Sequence, residues 1–255
     1  MKIWVCIKQT FDTEEKIVIE NGKVDEKDAE FIINPYDEYA IEEALQLRDE
    51  LGGEVTVITV GPDRAENALR TALAMGADKA ALIQDPSLVG DECVLARMLA
   101  EAIRREGFDL ILGGNFAVDS GSGQVAIRLA EELDIPHIGS VTGLNVNGRQ
   151  AIAKRDAEGD TEAVESTLPV LITAQQGLNE PRYPSLPGIM RAKRKPLERL
   201  SAQDLGLSDS LKTKTLIIEE YLPPEKEAGK ILEGDLDQQV QELVEALCGK
   251  GLSFN

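Results

Sequence analysis

Residues 115–123 read Asn-Phe-Ala-Val-Asp-Ser-Gly-Ser-Gly, and this is the stretch of the chain best suited to holding a ligand. Its glycines let the backbone curl and come close to a bound group. Successive free N–H groups at a helix start, added to the positive end of the helix dipole, suit an anion such as a phosphate. The competing reading is a tight strand-to-helix turn capped by Ser120 or Ser122. The pattern is neither GxGxxG nor GxxxxGK[ST], so it carries no dinucleotide fingerprint and no Walker P-loop.

Other reactive residue types offer little. The carboxylate pairs Glu14-Glu15 and Glu131-Glu132 fall on faces expected to be solvated. His137 is the only histidine; it follows Pro136 at a strand start and is expected to be packed or on the surface rather than catalytic. Cys6 lies inside the first strand as a small core residue. Cys6, Cys93 and Cys248 are far apart with no CxxC, which argues against a disulfide framework or zinc site and fits a reducing, cytoplasmic setting. No arrangement supplies a nucleophile, a base and an oxyanion hole together. The chain reads as a nucleotide-holding scaffold with a docking surface.

The elements that must position the loop follow from periodicity. Residues 109–112 form an apolar strand stopped by Gly113-Gly114, and residues 124–133 a helix with Val125, Ile127, Leu129 and Leu133 on one face. Earlier, residues 3–7 read as a buried strand and residues 16–24 as a hairpin around Asn21-Gly22. Asn34-Pro35 leads into a helix whose apolar side is Ala40, Ile41, Ala44, Leu45, Leu47 and Leu51, ended by Gly52-Gly53. Strands at 55–60 and 80–83 alternate with helices at 63–75 and 93–105. This order predicts an α/β fold with a mostly parallel, doubly wound sheet and right-handed crossovers. Ligands bind such sheets at the strands' carboxyl ends. The loops after Ile7 and Val60 and the glycine loop converge there, with Pro35 and Asp37 as a fourth wall.

Residues 141–146, 149–155 and 161–167 are short alternating runs, read as antiparallel edge hairpins, and 169–173 is a further apolar strand. Proline and glycine punctuate residues 175–196 up to a short helix near Ile189. Arg191, Lys193, Arg194 and Lys195, with Arg199, form the only concentrated basic patch. Residues 1–200 are expected as the nucleotide-binding domain. Residues 201–255, polar apart from 215–218 and an amphipathic helix at 236–247, are expected as an arm that wraps a partner, with a mobile tail as the competing reading.

A net charge of −19 argues against nucleic acid or an anionic membrane as the main partner. The start, MKIWVCIKQT, turns polar too soon for a signal peptide, and no apolar run reaches the ~20 residues that span a bilayer. ATP pyrophosphatases of similar architecture carry SGGxDS near the first strand, where this chain has Lys8-Gln9-Thr10-Phe11-Asp12. A stand-alone ATP-binding or ATP-cleaving enzyme is nonetheless the alternative from a different class.

Asn34-Pro35-Tyr36-Asp37-Glu38-Tyr39-Ala40-Ile41-Glu42-Glu43-Ala44 resembles the beta subunits of the electron-transfer flavoprotein family. The likeness continues through residues 70–78, the glycine loop, and Leu178-Asn-Glu-Pro-Arg-Tyr-Pro-Ser-Leu-Pro-Gly-Ile-Met190. Ala153, Arg155, Glu158-Gly159-Asp160, Glu162, Val164, Pro169 and Ile172-Thr173 fit the family signature. The resemblance implies a sheet like that of the adenine-nucleotide alpha-hydrolases. It also implies a non-catalytic subunit of a heterodimer whose alpha subunit carries most of an FAD site. The beta chain would hold a buried AMP, or a second FAD in electron-bifurcating relatives. Electrons would pass from acyl-CoA dehydrogenases and related flavoenzymes to an electron-transfer flavoprotein:quinone oxidoreductase. Residues aligning with the family's nucleotide site are Cys6, Asn34, Asp37, Val60, Asp119, Ser120, Gly121, Ser122, Gly123, Gln124 and Val125; Tyr36 stands where an aromatic side chain approaches the flavin. Thr13 replaces an aromatic residue of some members. Residues 183–195 match the partner-recognition loop, with Leu186 as anchor beside Tyr183, Ile189 and Met190.

Overall fold

Ile3, Trp4 and Val5 are buried in succession, which a strand achieves when both faces of its sheet are covered. They belong to β1 (Lys2–Cys6) of a computed structural model that describes residues 1–27, 29–84, 91–207, 211–226 and 228–251. There follow β2 (Gln9–Phe11), β3 (Ile19–Glu20), β4 (Lys23–Val24), β5 (Phe31–Ile33), α1 (Pro35–Leu51), β6 (Glu54–Val60), α2 (Glu66–Met75) and β7 (Lys79–Ile83). The second half adds α3 (Glu92–Glu106), β8 (Leu110–Gly114), α4 (Gln124–Leu133), β9 (His137–Asn147), β10 (Gln150–Ala157), β11 (Asp160–Thr167) and β12 (Val170–Ala174). Last come α5 (Leu186–Ala192), β13 (Leu197–Leu200) and α6 (Leu236–Gly249).

Among the described residues the main sheet has nine strands in the order β11-β10-β9-β12-β8-β1-β6-β7-β13. From β9 across to β13 each neighbouring pair is parallel; β10 and β11 close one edge as antiparallel hairpins. The expected α/β class and its edge hairpins are therefore present. Alternation along each strand splits the core in two. Val5, Val57 and Leu112 face α1 and α2, while Trp4, Ile58 and Ile111 face α3 and α4. That is double winding: helices cover both faces.

Local chemistry sets the boundaries. Pro35 opens α1 and Gly52, at φ 75°, ends it. Asp91 caps α3, its side chain accepting from the N–H of Val94 at 3.0 Å. Asn21 and Gly22, both at positive φ, make the β3–β4 turn.

Some expectations need correction. Leu51 is exposed at the end of α1, and Ile127 is exposed on α4. Two residues on from Val125 is roughly 200° around a helix, so Ile127 faces away from the stripe containing Leu129 and Leu133. Gly113 and Gly114 do not stop β8 but belong to it. Strand β13, hidden in the charged run Leu-Glu-Arg-Leu, extends the sheet beside β7. After it Ala202, Leu205 and Leu207 are buried in the second core, so residues 201–207, expected in the arm, pack on the body. Residues 208–210, 227 and 252–255 of the expected arm lie outside the described residues. Helix α6 buries none of its residues.

Candidate functional site

Strand β1 lies between β6 and β8, so the chain leaves it in one direction first and returns later on the other side. The crevice at the carboxyl ends of β1 and β8 is the place where such sheets bind ligands. A cavity of about 660 Å³ opens there. Its walls include Cys6 at the end of β1, Val60 at the end of β6, and Asn34 and Asp37 at the start of α1. Gly113 and Gly114 form its floor, and Ser120, Ser122, Gly123, Gln124 and Val125 one side. The size falls within the ordinary range for small-molecule and cofactor sites.

Asn34 and Asp37 spend their polar atoms on the protein. Asn34 Nδ2 donates to Asp37 Oδ1 at 3.1 Å and to the carbonyl of Phe116 at 3.0 Å, while its Oδ1 accepts from the N–H of Val118 at 3.1 Å. Asp37 accepts from the N–H of Gly114 at 2.9 Å and of Lys8 at 2.6 Å. These bonds lace the start of the glycine loop to the ends of β1 and β8. Gly114 must lack a side chain, because a Cβ there would lie 2.3 Å from Asp37 Oδ1. Burial pushes the Asp37 carboxyl up to about 7, against the pull of its three hydrogen-bond donors. Burial, then the charge of Asp37, pushes the Cys6 thiol up to about 12, so Cys6 is a neutral wall residue. Tyr36 does not line the cavity. Its ring rests on Phe116, near the start of the loop, with centroids 4.3 Å apart.

The loop itself ends at an open helix start. Gly123, in the left-handed region at φ 61°, is the N-cap of α4, and no side chain caps it. The expected capping by Ser120 or Ser122 is therefore not made. The first-turn N–H groups of α4 lie at a cavity wall formed by Ser122, Gly123, Gln124, Val125 and Ala126. That combination of unspent donors and dipole suits an anionic group. Gly121, at φ 66°, stands in open space and donates its N–H to the carbonyl of Ala117 at 2.8 Å. Asp119 lines a smaller neighbouring cavity beside Thr10 and Arg64, and pairs with Lys8 Nζ at 2.7 Å. Neither Asp119 nor Gly121 lines the large cavity. Lys8, which does, was not anticipated; its signal was a cation directly after the first strand.

His137 is not among the described residues that line this cavity. His137 opens β9, and burial, then the nearby charge of Arg155, lowers its pKa. Among the described residues there is no group of three or more metal-capable side chains, and no helix is long and apolar enough to cross a membrane. The docking candidates lie elsewhere, on α5 and the residues before it, packed against α2. Tyr183, Leu186, Ile189 and Met190 are all exposed. The basic patch is smaller than expected, because Lys195 turns inward to the carbonyls of Leu73 and Ala77, and Arg199 pairs with Asp63. Arg191, Lys193 and Arg194 remain on the surface.

The family described as electron transfer flavoprotein domain matches residues 21–205. The chain is 57% identical over 250 residues to the electron transfer flavoprotein subunit beta of Bacillus subtilis (strain 168), covering 97% of each chain. It is 43% identical over 246 residues to the subunit of the same description from Syntrophomonas wolfei, covering 96% of this chain and 95% of that one. It is 36% identical over 264 residues to the acryloyl-CoA reductase electron transfer subunit gamma of Anaerotignum propionicum, covering 98% and 99%. With a matched domain spanning most of the chain and these relatives matching nearly all of it, the chain belongs to the electron transfer flavoprotein family, among its beta subunits, and serves electron transfer as a subunit rather than as a catalyst.

Proposed function

We propose that this chain is the AMP-holding half of a heterodimeric flavin carrier. The observation that carries the reading is the uncapped start of α4 opening into the cavity at the carboxyl ends of β1 and β8. The first-turn N–H groups of α4, with Ser120 and Ser122, hold the nucleotide's phosphate. Lys8 adds a positive charge to the same wall, partly answered by Asp119. Cys6 and Val60 supply apolar contact. Asn34 and Asp37 act one step back, by keeping the loop in place. FAD, bound mainly by an alpha subunit, is the group that accepts and gives up electrons. Residues 183–190 meet the acyl-CoA dehydrogenase that donates those electrons, with Leu186 entering a pocket on it. An electron-transfer flavoprotein:quinone oxidoreductase receives them.

The heterodimer, purified and heat-denatured, should release one AMP and one FAD. Two FAD and no AMP would replace this reading with the bifurcating type. Release of AMP or pyrophosphate from added ATP by the chain alone would replace it with an ATP-cleaving enzyme. Gly121→Val should lower AMP retention, because valine at φ 66° forces the loop off its path. Retention equal to the parent would mean that the path of the loop around Gly121 does not shape the phosphate site.

A further inference from the structure

Resting on the reading that α5 docks the electron donor, we infer that Arg182 and Asn179 are positioning residues for that docking, held by two buried carboxylates of α1. Asn179 Nδ2 donates to the carbonyl of Tyr39 at 3.0 Å and to Glu43 Oε2 at 2.9 Å. Arg182 grips Glu42 with a fork, Nε to Oε2 at 2.7 Å and Nη2 to Oε1 at 3.0 Å, and adds its backbone N–H to Oε2 at 3.2 Å. A fork of this kind fixes the plane of both groups as well as their separation. Glu42 and Glu43 are buried. Burial pushes the Glu42 carboxyl up, but the Arg182 fork and Gln46 outweigh it and hold the pKa below the ordinary value. The anion that Arg182 needs is thereby maintained.

The same stiffness continues into α5. Pro181, Pro184 and Pro187 restrict φ along the segment. Ser185 caps α5, its Oγ accepting from the N–H of Gly188 at 3.1 Å. Gly188 sits so close to α2 that a Cβ would lie 2.4 Å from the carbonyl of Ala74. Arg70 Nη1 donates to the carbonyls of Ala192 at 2.9 Å and Lys195 at 3.2 Å, tying the far end. Between these ties Tyr183, Leu186 and Met190 are 94%, 80% and 67% exposed. Such side chains take no orientation from packing of their own; they take it from the frame. Order present before binding need not be supplied on binding. The Glu42–Arg182 pair therefore acts on affinity for the donor.

The test uses the full heterodimer, reduced by an acyl-CoA dehydrogenase and its acyl-CoA, with the carrier as varied substrate. Arg182→Met alone leaves Glu42 buried and unpaired and can fail to fold. The paired variant Glu42→Met with Arg182→Met removes both charges, an exchange that proteins often tolerate. It should keep the parent's melting temperature and FAD content. Its KM for the carrier should rise about tenfold with kcat within about twofold, the pattern of lost binding. Arg182→Lys, which lacks the fork, should recover only part of the loss. Added to Leu186→Ala, the paired substitution should cost less than about twofold more, because no anchor is left to position. An unchanged KM in the paired variant, with a raised KM in Leu186→Ala, would overturn the positioning role and leave the docking reading intact. A fall in kcat or in FAD content alongside the raised KM would assign the pair to general structure and overturn the proposal. An unchanged KM in Leu186→Ala would overturn the docking reading itself, and the positioning role with it.

Discussion

Asp37 is an ionisable group held where its charge is disfavoured, and pH therefore reads it out. Its carboxyl titrates at about 7 in the folded chain, against an ordinary 3.8. Between those values the folded state keeps a proton that the unfolded state has lost. Folding stability contributed by Asp37 is thus fully present below 3.8 and falls as pH rises through about 7. Melting temperatures across that window should decline for the parent relative to Asp37→Asn, which cannot titrate; parallel curves would remove Asp37 as their cause. Asp37→Asn should also melt lower, because its amide nitrogen replaces one acceptor oxygen and faces either the N–H of Lys8 or the donors Gly114 and Asn34. The neighbouring Cys6 thiol, pushed up to about 12, should resist alkylation near neutral pH while exposed Cys248 reacts. Mass mapping after brief alkylation would show this, and early labelling of Cys6 would mean that its thiol is not held neutral at the cavity wall. The candidate site was only partly legible at this scale. Asn34 and Asp37 stood out as residues, but their use as ties for the loop depends on Gly114 and Phe116, roughly eighty positions later.

Elements were legible where burial imposes a period. The continuous apolar runs of β1, β6 and β12 and the Pro35 and Gly52 limits of α1 follow from short-range rules. Strand β13 did not, because its Leu-Glu-Arg-Leu pattern matches a solvated turn of helix equally well and only pairing with β7 decides it. Helix α5 was visible as a short helix, yet its tie to α2 was not, since Lys195 and Arg70 look like surface cations in the sequence. Their inward hydrogen bonds make α5 a fixed platform. Gly188→Ala should therefore loosen it, the new methyl meeting the carbonyl of Ala74, and lower the melting temperature. Leu186→Ala, at 80% exposure, should leave melting unchanged and act only on docking. Loss of an apolar hot spot costs roughly 2 kcal/mol or more, which is about tenfold or greater in affinity. Thermal melting and steady-state electron transfer on one preparation separate the two variants. A matching drop in melting for Leu186→Ala would return that residue to ordinary packing.

At the scale of the whole molecule, the described chain divides by burial. The buried residues of the two cores end at Leu207, with Leu211 packed at the edge of the second; beyond them Leu216, Ile217 and Ile218, which line the large cavity, and Tyr221, Leu222, Ile231 and Leu236 are exposed. Such a series of exposed apolar side chains along one segment marks a surface made for covering. Helix α6 is amphipathic, and Asp235 with Gln238 forms a full capping box at its start, yet it buries nothing. A helix of 14 residues with no packed face is marginal on its own in water. An apolar partner would stabilise it, and we propose that this partner is the alpha subunit of the heterodimer. The segment is not wholly free, since Asp91 accepts from the N–H groups of Lys214 and Thr215 and the N–H of Glu220 reaches the carbonyl of Gly22. Those contacts give the arm its departure point but no core. Amide exchange should therefore be fast along residues 228–249 in the isolated chain and slow in the heterodimer, while β1, β6 and β8 stay protected in both. Limited proteolysis should cut the isolated chain beyond Leu222 and spare the complex. Equal protection of α6 with and without the alpha subunit would mean that the arm finds its cover on this chain, and would set aside its role as a clasp.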